Sequence, residues 1–192
     1  TRDIFDCIEE HHAATDYTRD PLEFCQAEGI DFVLGPRSLA RTRRRDDDGP
    51  DLIVLNPSDY NPRDLFSIAH EIVHIILRRE QYLTLIRRYH LPSLPPALHR
   101  PHVERLIDAA AGRIIMTTHQ LELAMQLHGD HPQAILHLIN ECGASEGAAL
   151  RRYAWQDTSE YRAAFTARDS YIQDATACRA RLPFKARERY PE

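Results

Sequence analysis

The sequence predicts an α+β fold: a small, mostly antiparallel sheet against a pair of helices, then a helical C-terminal region. Three observations lead there. Asn61 to Leu77 carries apolar residues at helical spacing (Leu65, Ile68, Ala69, Ile72, Val73, Ile76). Two short apolar, β-branched runs, 30–34 and 51–55, precede it and read as strands. Five helical runs follow it, with proline or glycine at several of their boundaries.

Ile4 to His12 reads as a short helix. Asp20-Pro21-Leu22-Glu23 is a helix start, with a cap, a proline at the first position and a glutamate placed to close a capping box. Gly29 ends that helix. The strand at 30–34 is closed by Gly35-Pro36. The run Arg41 to Gly49 mixes arginines with aspartates, so it reads as a solvated hairpin tip rather than a nucleic-acid patch. The second strand, 51–55, ends in the turn Asn56-Pro57-Ser58. Asn61 then caps the long helix, and Pro62 suits its first turn. His90 to Pro101 holds four prolines and excludes a regular element. Further helices are expected from His102 to Met116, from a cap at Thr118 to Leu127, from Pro132 to Glu141 and from Ser145 to Trp155. Thr158 to Arg181 reads as helical and polar, and Pro183 to Glu192 as frayed. The expected division is a domain at 1–128 and a helical region at 129–192.

A chain of 192 residues is long enough to bury a real core. Its 43% hydrophobic and 28% charged residues are those of an ordinary globular domain, and its net charge of −5 argues against a whole-molecule electrostatic DNA binder. No apolar run reaches membrane-spanning length and no secretory signal is recognisable. Cys7, Cys25, Cys142 and Cys178 form no Cys-x-x-Cys pair, which suits a reducing compartment. The expected location is the cytoplasm, with no membrane partner.

The long helix contains His70-Glu71-Ile72-Val73-His74, an H-E-x-x-H pattern. On a helix the two histidines lie one turn apart on one face, as two imidazoles must to share a metal ion. Glu71 sits at the edge of that face, where a carboxylate can hold an attacking water and take its proton. Zn2+ is the expected ion, with Mn2+ as the alternative. A hydrolytic site adds one more protein ligand and keeps a position for water. No histidine lies a short step downstream, where Arg78, Glu80 and Gln81 stand, so a carboxylate from a later helix is the other solution. Glu104, Asp108 and Glu122 are the candidates. Glu104 and Asp108 are one turn apart, so one can ligate while the other orients a histidine. Spacing alone does not choose between a ligand Glu104 and an exposed first-turn carboxylate held by the helix dipole. Tyr82, Tyr89, His90, His99 and His102 are candidates for stabilising an oxyanion. Leu52 to Leu55, just before the helix, is a candidate docking edge for an extended substrate through Ile53 and Val54.

From about Asp20 to Tyr153 the chain resembles the ImmA/IrrE family of bacterial metallopeptidases. The helix of that family reads F-T-x-A-H-E-L-G-H-L-L-L, and here it is Phe66-Ser-Ile-Ala-His-Glu-Ile-Val-His-Ile-Ile-Leu77. A second signature, close to E-x-x-A-N-x-F-A-x-x-L-L-M-P, matches Glu104 to Thr117 in register. Val73 stands in place of a glycine, Ala110 of an aromatic and Thr117 of a proline. The resemblance implies a zincin-like minimal metallopeptidase core, with Glu104 the third ligand beside His70 and His74. It also implies a narrow substrate, a helix-turn-helix repressor cut once to release stress-response or mobile-element genes. Residues 132–155 are similar to a repressor's helix-turn-helix. With little basic charge there beyond Arg151 and Arg152, protein contact through those arginines is expected rather than DNA reading. Two other functions fit the same residues: a metal-sensing DNA-binding regulator, and a module that inactivates a repressor by binding without cutting.

Overall fold

The computed structural model describes residues 2–34, 41–42, 51–55 and 62–189. The Asn61 cap, the turns at 35–36 and 56–58, and most of the charged 41–49 run lie outside the described residues. Two compact units are present, Thr1–Ile115 and Met116–Glu192. The break falls ahead of the expected 128/129, because the helix that follows it packs with the C-terminal elements.

In the first unit, helix α1 spans Arg2–Ala14 and α2 spans Pro21–Ala27. Asp20 caps α2 by accepting from the Leu22 amide at 2.9 Å. The expected capping box does not close, because Glu23 instead accepts from the Thr18 hydroxyl at 2.6 Å, and Thr18 in turn receives the Asp20 amide. Gly29 takes a φ of 61°, the left-handed conformation that suits glycine after a helix. Strands β1 (Asp31–Leu34), β2 (Arg41–Thr42) and β3 (Leu52–Leu55) form one sheet in the order β1-β3-β2.

The pairing corrects two expectations. β1 and β3 are parallel across four residue pairs, and only the short β2 is antiparallel to β3, so the described sheet is mixed rather than mostly antiparallel. The reason is topological: β2 reverses the chain, and β3 then returns between its two predecessors. β3 is therefore the central strand, and Ile53 is fully buried. Ile53 and Val54 offer no free edge to a substrate, since each is paired on both sides.

Helix α3 (Pro62–Arg79) follows, then α4 (Tyr82–Leu85), a single π-helical turn at Ile86–His90 and two short 3-10 turns carrying Pro92 and Pro96. Helix α5 (His99–Ile115) starts three residues before the expected His102. α3 is anchored by Ile68, Ile72, Val73, Ile75, Ile76 and Leu77, all inaccessible to solvent. At about 1.5–3 kcal/mol for each such side chain, this face fixes the helix whatever its polar residues do. α3 packs on α5, whose small residues Ala109, Ala110, Ala111 and Gly112 are all buried.

The second unit holds α6 (Thr118–His128), α7 (Pro132–Cys142), α8 (Glu146–Ala154) and an antiparallel hairpin, β4 (Arg162–Arg168) with β5 (Tyr171–Cys178). Thr117, not Thr118, caps α6, in a full capping box with Gln120. The expected helix over 158–181 is this hairpin. Asp169 and Ser170 both have positive φ (51° and 65°), as a two-residue turn of the hairpin-forming kind requires. The tail is not frayed over 183–189. Phe184 packs edge-on to Phe165, and Arg187 and Glu188 exchange backbone hydrogen bonds with Ile172. No described helix is long and apolar enough to cross a membrane.

Candidate active site

α3 and α5 bring the expected ligands together. His70 Nε2 lies 3.3 Å from Glu104 Oε2, and His74 Nε2 lies 3.6 Å from the same oxygen. The two imidazoles are 4.9 Å apart between centroids. Tetrahedral zinc with bonds near 2.0–2.1 Å places its ligand atoms about 3.3 Å from one another, so these spacings suit one ion. His70, His74 and Glu104 form the one such group of three among the described residues, their ligand atoms all within 4.8 Å. Two imidazole nitrogens and a carboxylate oxygen are a donor set that fits a first-row divalent metal ion.

Asp108, one turn after Glu104, accepts from His70 Nδ1 at 2.9 Å. That contact fixes the ring and leaves Nε2 with its lone pair toward Glu104 and His74. Burial disfavours a charged His70, but the Asp108 hydrogen bond and the charges of Asp108, Glu71 and Glu104 outweigh it, so His70 is raised above the ordinary histidine value. His74 goes the other way: burial and then the neighbouring His70 lower it, with only partial relief from Glu104. Glu71 is half-buried beside this pair, close enough for its charge to act on His70. The three candidate ligand side chains keep 20% to 38% exposure, so the group is open to solvent.

A cleft of about 380 Å³ adjoins His74 and Glu104. Leu83, Leu91 and Val103 line it with Arg87, His99 and Arg100. Of the residues considered for oxyanion stabilisation, His99 lines this cleft. His90 and His102 form a ring pair at 6.1 Å, and Tyr89 is exposed. Arg87 and the apolar lining carried no signal in the sequence, because they lie between the two signatures. Glu122 lies on α6, in the second unit, and is exposed.

Arg151 and Arg152 do not form the expected contact surface. Arg152 is 2% exposed, and its Nε donates to the Met116 carbonyl at 2.8 Å while a terminal nitrogen reaches the Thr118 hydroxyl at 3.3 Å. It satisfies backbone where α6 begins. Arg151 is half-buried, with its Nε enclosed. α7 and α8 are joined at Gly143, which takes a φ of 62°. Ala148, Ala149, Leu150, Arg152, Tyr153 and Ala154 of α8 are buried, and α8 packs on both α7 and the hairpin. A recognition helix must be bare to enter a groove, whereas α8 is covered.

No curated protein sequence matches the chain. The family described as the IrrE N-terminal-like domain, Peptidase_M78, matches residues 25–153, about two-thirds of the 192 residues. That span contains α3, α5 and every residue of the His70–His74–Glu104 group, and the chain belongs to this family of metallopeptidases.

Proposed function

We propose that the chain is a zinc-type endopeptidase that makes a specific cut in a helix-turn-helix repressor in the cytoplasm, releasing stress-response or mobile-element genes. The observation that carries the hydrolytic part is the convergence of His70, His74 and Glu104 on one point, with Glu71 beside them and Asp108 behind His70. His70, His74 and Glu104 would hold Zn2+, or Mn2+ in its place. When bound, such an ion polarises the scissile carbonyl and makes water acidic enough to attack near neutral pH. Glu71 takes a proton from the attacking water as the new C–O bond forms, and then gives it to the amine nitrogen so that the peptide C–N bond breaks and the amine leaves. Asp108 holds the His70 ring so that its Nε2 stays directed at the ligand point. The repressor as substrate is supported by the sequence resemblance and by family membership in a peptidase class.

The test incubates the zinc-loaded protein with the repressor encoded beside its gene and reads the products by mass spectrometry. One cut, lost in Glu71→Gln with zinc content unchanged, is the expected result. Derepression by Glu71→Gln equal to wild type would replace the protease with a binding-only anti-repressor. A specific band shift on operator DNA by the protein alone would favour a metal-sensing regulator.

A further inference from the structure

The cleft beside His74 and Glu104 has a charge pattern opposite to that of the whole chain. The net charge is −5, yet two arginines line this cleft and Glu104 is its one acidic residue. Glu104 turns one oxygen toward both histidines, and its other oxygen lies 3.8 Å from Arg100 Nε. The Arg100 side chain is 90% exposed, so that contact is screened and weak. Arg87 pairs with no carboxylate among the described residues, although it is a cation beside a cleft. It stands on the π-helical turn at Ile86–His90, which follows Gln81 in a left-handed conformation (φ 61°). Single π turns widen a helix locally and often occur where a side chain serves a function. Leu83, Leu91 and Val103 line the same cleft as the arginines, His74 and Glu104, an apolar lining in a cleft of the size that takes side chains.

We infer that Arg87, assisted by Arg100, reads an acidic side chain, Asp or Glu, next to the bond that is cut, while Leu83, Leu91 and Val103 take a neighbouring apolar side chain. The inference rests on the peptidase reading and adds a substrate class to it: segments in which an apolar residue stands beside an acid. A guanidinium pairs with a carboxylate through two parallel N–H donors, so Arg87 gives direction as well as charge. The apolar lining alone would discriminate weakly between segments of similar size. The nearby cation adds repulsion against basic segments, which raises specificity by rejecting wrong partners.

The experiment uses the full chain and peptides, each prepared C-terminally amidated and with a free C-terminus, that share one apolar residue followed or preceded by Asp, Asn or Lys. Cleavage is read with the zinc-loaded wild type, and binding with zinc-loaded Glu71→Gln by fluorescence anisotropy at low and high salt. The expected result is a preference of about five- to tenfold for Asp over Lys in both readouts, weakened by salt. Arg87→Glu should invert that preference, in cleavage and, combined with Glu71→Gln, in binding. Cleavage without any charge preference overturns the subsite and leaves the peptidase reading standing. Charge-selective binding without cleavage of any peptide does the reverse. Neither binding nor cleavage overturns both. Preference that appears only with a free C-terminal carboxylate, and vanishes on amidation, also overturns the side-chain subsite.

Discussion

α3 and α8 are both apolar helices that carry charged or titratable side chains in one turn, yet they use them in opposite ways. On α3, His70 and His74 are 20% and 25% exposed and direct their Nε2 atoms at a shared carboxylate oxygen. On α8, Arg152 is 2% exposed and spends its donors on the Met116 carbonyl and the Thr118 hydroxyl. The first arrangement leaves lone pairs converging at an open position. The second pairs its donors with backbone and side-chain oxygens and serves the fold. A polar residue on a buried face is therefore informative only together with what receives its hydrogen bonds.

The comparison breaks most sharply at Glu71. Glu71→Gln keeps the shape and removes the base, so cleavage should fall by ~10² or more with zinc content and thermal midpoint unchanged. A comparable loss of zinc in that variant would show Glu71 holding the ligand group together rather than acting on water. Next in size is Asp108→Ala, which frees the His70 ring. Zinc affinity, measured by competition with a chromophoric chelator, should drop about 10- to 100-fold. Affinity equal to wild type would mean that packing alone orients His70.

Arg152 should respond in stability instead. Arg152→Met leaves the buried Met116 carbonyl short of a donor, at a cost of about 1–3 kcal/mol in urea unfolding, with zinc affinity unaltered. A variant as stable as wild type would remove the structural role assigned to this arginine. The smallest effect concerns His12, which is buried and hydrogen-bonded to the Thr18 carbonyl at 2.7 Å. Burial lowers its pKa below 6.5, so the folded state resists protonation. Above that value both states are neutral and His12 contributes no pH dependence. As pH falls below it, only the unfolded chain gains the proton, and stability drops by at most about 1.4 kcal/mol per pH unit. His12→Gln keeps a donor without the titration and should flatten the urea midpoint between pH 6.5 and 5 relative to wild type. Parallel profiles would exclude His12 as a source of acid sensitivity.

Legibility in the sequence follows the range of the interactions. α3 was readable because its apolar spacing, its proline and its H-E-x-x-H are all local. Glu104 was one of three carboxylates on spacing alone; the resemblance selected it, and the packing of α3 on α5 brings it to the histidines. The central position of β3 was not readable, because strand order is set by pairing between distant residues. β4 and β5 contain Ala163, Ala164, Ala167, Ala175 and Ala177, which favour helix in isolation. What makes them strands is the packing of the hairpin on α8, and their turn uses Asp169-Ser170 without the glycine that usually announces it. Arg151 and Arg152 looked like a basic surface because sequence shows charge and not burial.

The hairpin has a bearing on where the chain can be divided. The family match stops at Tyr153, one residue before α8 ends, while the strands that pack on α8 begin at Arg162. Ala164, Ile172 and Cys178 of those strands are buried, as are Leu150, Tyr153 and Ala154 of α8. The matched span thus ends inside a set of elements that pack on one another. A recombination or truncation event that kept only the shared span would strip α8 of its β covering and bare apolar surface to water. The covered face of α8 and the buried face of the hairpin thus form one packing unit, in which a large-to-small change on either element opens a cavity against the other.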